Sequence, residues 1–138
     1  MTKKTSSADR VASLRKIPLF ATLPVRSLQR LATLATQFES PAGTVLIQPK
    51  MQGAGLVVIE EGSVTIELPS RKLDLGPGEF FGELSLLTDK GHNARVRAKT
   101  SVRCLALSRA DFQQMLQTEP KMALAMLEIL AERLSSTR

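Results

Sequence analysis

A chain of 138 residues has the length of one domain, long enough to bury a modest core and too short for two. Five Phe and no Trp or Tyr leave the core to aliphatic side chains and weaken any nucleic-acid reading built on stacking. Nineteen Lys and Arg against thirteen Asp and Glu give a net charge of +6, which favours an anionic ligand, partner or membrane surface without choosing among them.

Residues 1–7 are polar and Ser/Thr-rich and read as a flexible arm; 8–138 read as a single domain. Ser7 is placed to cap a short helix running to about Lys16. Ile17-Pro18-Leu19-Phe20 forces an extended or tight-turn step, because the residue before proline is pushed out of the helical region. A second helix starts near Pro24, where proline is tolerated in the first turn. Its Leu28, Leu31, Leu34 and Ala35 recur at helical spacing to about Thr36.

From Phe38 the texture changes to short β-rich runs punctuated by Pro41-Ala42-Gly43, Gly53-Ala54-Gly55, Glu61-Gly62 and Gly76-Pro77-Gly78. Evenly spaced short strands predict a sandwich, roll or barrel. In the strand from Gly62 to Leu68, Val64, Ile66 and Leu68 share one face and Ser63, Thr65 and Glu67 the other. Leu56–Ile59 is apolar throughout and predicts deeper burial. Ala94, Val96 and Ala98 alternate with Arg95, Arg97 and Lys99, so the basic three are predicted to point away from the small apolar ones.

Val102–Leu107 closes the β region around Cys104, the only cysteine, so neither an intramolecular disulfide nor a cysteine-built zinc site is available. Ser108 followed by Arg109-Ala110-Asp111-Phe112 resembles a helix start, with Phe112, Met115 and Leu116 inward. Pro120 opens a last helix carrying Met122, Met126, Leu127, Leu130 and Leu134 at helical spacings. No run approaches a membrane span and no apolar stretch follows the first charges, which predicts a cytoplasmic protein.

The most specific stretch is Leu75-Gly76-Pro77-Gly78-Glu79-Phe80-Phe81-Gly82-Glu83-Leu84-Ser85-Leu86-Leu87. It resembles the phosphate-binding cassette of the cyclic nucleotide-binding domains, the sensor domains of catabolite activator proteins and of cyclic nucleotide-regulated channels. The resemblance runs on through Ile17–Phe20, Glu60–Val64, Val96–Thr100 and Leu107–Phe112 in order. It implies a mainly β fold with flanking helices: an antiparallel β-roll of the double-stranded jelly-roll type over 37–108, N-terminal helices over 8–36, and C-terminal lid helices over 109–134. Gly82 lets the backbone approach a ligand with no Cβ in the way, and the turn beginning at Glu83 would offer free N–H groups to a phosphate. The resemblance implies that Glu83 accepts from the ribose 2′-hydroxyl and that the amides near Leu84 and Ser85 hold the phosphate, with Phe81 beside them.

One position departs from the family. Nucleotide-binding members place an Arg nine or ten residues after the cassette Glu; aligning Ala94 and Val96 sets His92 there and Asn93 next. Imidazole offers fewer donors than guanidinium and is mostly neutral near pH 7. Strand alternation sends Arg95 to the other face, so it does not substitute.

The sequence therefore predicts a regulatory module without catalytic or metal-binding residues and without a cofactor. Its expected ligand is cyclic AMP or cyclic GMP, cyclic AMP first, bound weakly through Phe81, Gly82, Glu83, Leu84, Ser85, His92, Asn93 and Ala94. An effector domain or protein partner is expected at the C-terminal helix. The alternative is a degenerate fold that binds no nucleotide and serves protein association or homodimerisation. No DNA-binding module is expected within this chain after the last helix, whether it stands alone or is one domain of a longer regulator, channel or transporter, and one His in total excludes the ligand cluster of a jelly-roll metal enzyme.

Overall fold

The computed structural model describes residues 7–48, 55–82 and 94–136. They form two compact units, a β unit from Ala35 to Gln113 and a helical unit drawn from the chain up to Leu34 and from Gln114 onward. Residues 1–6 of the expected arm lie outside the described residues, and helix α1 begins at Ser7.

In the helical unit, α1 (Ser7–Arg15) buries Leu14 and ends in turn bonds from the Lys16 and Ile17 N–H groups to the Ser13 and Leu14 carbonyls. Ile17 then takes the extended backbone that a following proline demands (φ −82°, ψ 122°), and Pro18–Phe20 forms a single 3-10 turn with Leu19 and Phe20 buried. Helix α2 (Val25–Leu34) buries Leu28, Leu31 and Ala32 on one face. It packs on α1, and the 3-10 turn packs on α1 and on the last helix.

The helix was expected to reach Thr36, but it stops at Leu34 and strand β1 takes Thr36–Ser40. Pairing across the sheet decides the boundary: Thr36 lies opposite Ala106, so a ladder partner seventy positions away overrides the local helical period.

The β unit holds two antiparallel four-stranded sheets. Strands β2 (Val45–Ile47), β3 (Leu56–Glu61), β4 (Val64–Glu67), β5 (Lys72–Leu75), β6 (Phe80–Phe81), β7 (Arg95–Ala98) and β8 (Val102–Leu107) follow β1. The sheet orders are β1-β8-β3-β6 and β2-β7-β4-β5. Their inner faces meet in one apolar cluster. Val57, Ile59, Phe81, Val102 and Cys104 come from the first sheet and Ile47, Val64, Leu75, Val96 and Ala98 from the second, with Phe38, Leu46, Ile66 and Leu73 at its margin. This is the β-roll; its interior is mostly aliphatic, but the expectation of an aliphatic core is corrected by Phe81, which is buried in it. Strand β3, internal in its sheet between β8 and β6, is buried from Leu56 to Ile59.

The C-terminal helices are α3 (Arg109–Thr118) and α4 (Pro120–Ser136). Ser108 starts α3 as expected, its Oγ accepting from the Asp111 N–H at 3.2 Å, and Phe112 and Met115 are buried. In α4 the apolar residues at helical spacing divide between two faces. Met122 and Met126 are buried, but Leu127 is 64% and Leu134 69% exposed. At about 100° per residue, Leu127 and Leu134 sit well round the helix from the Met122/Met126 face. They join the exposed Leu124 there, so α4 is apolar on two faces.

Candidate functional site

The cassette begins on a turn that its glycines dictate. At Gly76-Pro77-Gly78-Glu79, Gly78 has φ +85° and its N–H donates to the Ile59 carbonyl at 2.7 Å. The Gly76 N–H donates to the Glu79 carboxylate at 2.7 Å, and the Ile59 N–H donates to the Glu79 carbonyl at 2.8 Å. Pinned in this way to the middle of β3, the chain enters β6, where Phe80 lies opposite Val58 and Phe81 opposite Val57. Both Phe side chains are buried, Phe81 in the interior of the roll.

Gly82 follows with φ +95°, a conformation L side chains rarely adopt, and a Cβ built on it would stand 2.6 Å from the Gly55 carbonyl oxygen. Gly55 is itself wedged: its own Cβ would meet the Leu107 carbonyl oxygen at 1.8 Å. Glycine at 82 is therefore required by the packing of three backbone segments, in addition to any approach by a ligand.

Of the eight residues expected to contact a ligand, Phe81, Gly82 and Ala94 are described. Glu83, Leu84, Ser85, His92 and Asn93 lie outside the described residues. Phe81 ends β6 and Gly82 follows it; Ala94, half-buried, immediately precedes β7. Gly82 thus adjoins a strand of the first sheet and Ala94 a strand of the second.

Downstream of Ala94 the expected alternation holds. Val96 and Ala98 are buried while Arg95 is exposed, Arg97 partly exposed and Lys99 exposed. The register between β7 and β4 is unbroken from Arg95↔Glu67 to Ala98↔Val64; the irregularity falls instead between Val45 and Ile47 where β2 meets β7. Arg95 consequently stays off the inner face, and its Nε donates to the Gln48 side chain at 3.3 Å. Arg97 faces Glu67 at 3.8 Å and donates to the Gly43 carbonyl at 3.1 Å. Lys99 pairs with Asp74 at 2.7 Å; this hydrogen bond, with a second from Thr65, holds the Asp74 carboxyl below its usual value of 3.8.

Sequence reasoning missed a polar cluster on the first sheet. Arg103 reaches Glu61 at 3.0 Å and Glu60 at 3.5 Å, and the Gln37 amide donates to Glu60 at 2.8 Å. Beside it lies an open cavity of about 420 Å³ lined by Glu39, Ser40, Pro41, Glu61, Ser101, Val102 and Arg103. Arg103 stands forty-two positions beyond Glu61, so strand pairing alone reveals the cluster. Cys104 is core: burial, with a smaller contribution from Glu60, pushes its thiol up to about 11. Among the described residues no group of three or more His, Cys, Asp or Glu side chains is arranged to hold a metal ion. No described helix is long and apolar enough to cross a membrane.

The sequence profile of the family described as "Cyclic nucleotide-binding domain" matches residues 37–119, more than half of the chain. The chain belongs to the cyclic nucleotide-binding domain family. It is 35% identical over 107 residues to a cyclic nucleotide-gated potassium channel of Mesorhizobium japonicum, covering 78% of this chain and 30% of the channel. It is 34% identical over 112 residues to a cAMP-dependent protein kinase regulatory subunit of Aspergillus fumigatus, covering 76% of this chain and 26% of the subunit. Among solved structures it is similar to the Thermus thermophilus catabolite activator protein, with a TM-score of 0.75 at 28% identity over 87% of this chain and 59% of the other. The chain thus spans about a third or less of these two curated relatives. A cyclic nucleotide-binding domain is a regulatory binding module, and the β-roll described above is its fold.

Proposed function

We propose that this domain is a sensor that binds a cyclic nucleotide, cyclic AMP before cyclic GMP, with an affinity weakened at His92. The observation that carries the reading is the joint at Gly82, a positive-φ glycine at the end of β6 that opens a cassette with the family's residue pattern. In this reading Phe81 and Gly82 form the base of the site, and Glu83 accepts from the ribose 2′-hydroxyl. The amides at Leu84 and Ser85 cradle the phosphate, and His92, Asn93 and Ala94 stand where the phosphate-pairing segment belongs. No residue is assigned a catalytic role and no cofactor beyond the nucleotide is invoked. The module works in the cytoplasm, and α4 passes its state to an effector domain or partner.

Loss of one member of a buried, hydrogen-bonded charge pair costs about 2–5 kcal/mol, roughly 30-fold to several thousand-fold in affinity. Calorimetric titration with cyclic AMP and cyclic GMP, on the native chain and on His92→Arg, tests this. Weak, saturable binding that tightens at least 30-fold in the variant is expected. Nanomolar binding by the native chain would remove the weakening at His92, and absence of saturable binding in both chains would remove the nucleotide.

A second reading, a fold that binds no nucleotide and serves association, is favoured by one observation. Leu124, Leu127, Ala131 and Leu134 are exposed and follow one another at spacings of three, four and three, an apolar seam along α4. Sedimentation over a range of concentrations reads it: a homodimer that Leu127→Lys dissociates supports association through α4. A chain monomeric at every concentration excludes the homodimer.

A further inference from the structure

Glu119 forms the elbow between α3 and α4. Its N–H donates to the Met115 carbonyl at 2.8 Å, closing α3, and its carbonyl accepts from the Met122 and Ala123 N–H groups at 3.1 and 3.2 Å, opening α4. The side chain turns to a third helix: its Oε1 accepts a hydrogen bond from the Ser27 Oγ, ninety-two positions earlier and partly buried. Ser27 lies in the first turn of α2, where free N–H groups and the positive end of the helix dipole favour a carboxylate. An O–H donor on an ionised acceptor is also one of the stronger hydrogen bonds available.

The surroundings of this contact divide α4 in two. One face is seated, with Met122 and Met126 buried and the helix packed on the 3-10 turn that buries Leu19 and Phe20. The other exposes Leu124, Leu127 and Leu134. We infer that the Ser27–Glu119 hydrogen bond is a latch that fixes the root of α4 to the start of α2, so that breaking it frees the elbow to bend. A side-chain contact between a helix start and an interhelical elbow restrains a direction, not merely a position, because the bend of α4 turns on the residue whose carboxylate is held. Where α4 carries the response to nucleotide, which rests on the function proposed above, the latch sets how readily that response is released.

Hydrogen exchange of the ligand-free chain, followed by mass spectrometry or NMR, tests the latch without requiring any nucleotide. Ser27→Ala and Glu119→Gln are each expected to speed exchange of the first-turn amides of α4, Met122 to Leu124, about 10-fold. Amides of β3 from Val57 to Ile59 should keep their native rates. The double variant should exchange no faster than the faster single one, Ser27→Thr should restore the native rate, and Ser27→Asp should open the elbow by setting two carboxylates together. Unchanged rates in both single variants, additive effects in the double, or equal acceleration of β3 and α4 would each overturn the latch. Cyclic AMP titration of the same proteins is a separate arm: if the native chain binds none, the sensor reading fails while the latch still stands or falls on exchange.

Discussion

Replacing Gly82 with Ala separates what this glycine does for the fold from what it does for a ligand. Two costs are readable. A residue with a Cβ held in the left-handed region loses about 1–2 kcal/mol, since φ is +95°. The added methyl also meets the Gly55 carbonyl oxygen at 2.6 Å, and Gly55 is confined by the Leu107 carbonyl, so both backbones must shift; overpacking of this kind adds about 1–3 kcal/mol. The sum, about 2–5 kcal/mol, is a large share of the 5–15 kcal/mol typical of a small domain. Gly43→Ala provides the comparison, because its φ is +90° but nothing lies within 4 Å of the added carbon; it should lose only about 1–2 kcal/mol. Gly76→Ala has neither a left-handed φ nor a neighbour within 4 Å and should stay within about 0.5 kcal/mol of native. Urea denaturation with a shared slope measures all three. Equal destabilisation by Gly82→Ala and Gly43→Ala would refute the argument that the crossing of Gly82 over Gly55 fixes the residue.

Cys104, with its thiol raised from 9.0 to about 11, should react with a disulfide reagent at pH 8 only as fast as the chain opens, and a stoichiometric burst in the native protein would contradict its burial. Because the unfolded thiol loses its proton first, stability should fall as pH rises from 9 toward 11, a decline that Cys104→Ala removes. Asp74, whose carboxyl is lowered chiefly by Lys99 and then by Thr65, contributes stability that is present above pH 3.8 and is lost as pH falls through the lower folded value. Its titration, followed by NMR, should move up toward the ordinary value in Lys99→Met. The Arg103–Glu61 pair, with side chains 35% and 64% exposed, should show a coupling of less than about 1 kcal/mol in a double-mutant cycle of urea stabilities; a much larger value would mean that the pair is screened less than its exposure implies.

The parts of the fold that were legible in the sequence are those whose periodicity has one solution. Arg95-Val96-Arg97-Ala98 admits a single facing once one side of the sheet is buried, and Ile17-Pro18 admits few backbone conformations. The end of α2 was not legible, because Leu34 and Ala35 continue a helical period while Thr36 belongs to a ladder completed by Ala106. The face of α4 was not legible either: leucines and methionines surround the helix, and only its neighbours decide that Met122 and Met126 are buried and Leu127 is not. At the site, Gly82 was legible as a motif, but its contact with Gly55 follows from the pairing of β3 with β6 and could not be read locally. Ser27–Glu119 and Arg103–Glu61 were invisible for the same reason, since polar residues far apart in sequence carry no sign of their partner.

The distribution of charge bears on how an anion would be held. A net charge of +6 attracts a cyclic nucleotide at long range, but such attraction falls off within about 10 Å at ordinary ionic strength and cannot substitute for a donor in contact with phosphate. The basic side chains of β7 are ill placed for that contact. Arg95 and Arg97 alternate with the buried Val96 and Ala98 and so face away from the interior of the roll, and both, like Lys99, engage Gln48, Glu67, Gly43 or Asp74. Turning one inward would require a register shift that β7 does not have against β4 and the loss of its present partner. Under the proposed function, phosphate recognition therefore falls to the amides of the cassette and to position 92. That makes the affinity difference between His92 and His92→Arg a direct measure of what a permanent charge adds to a cradle otherwise made of backbone.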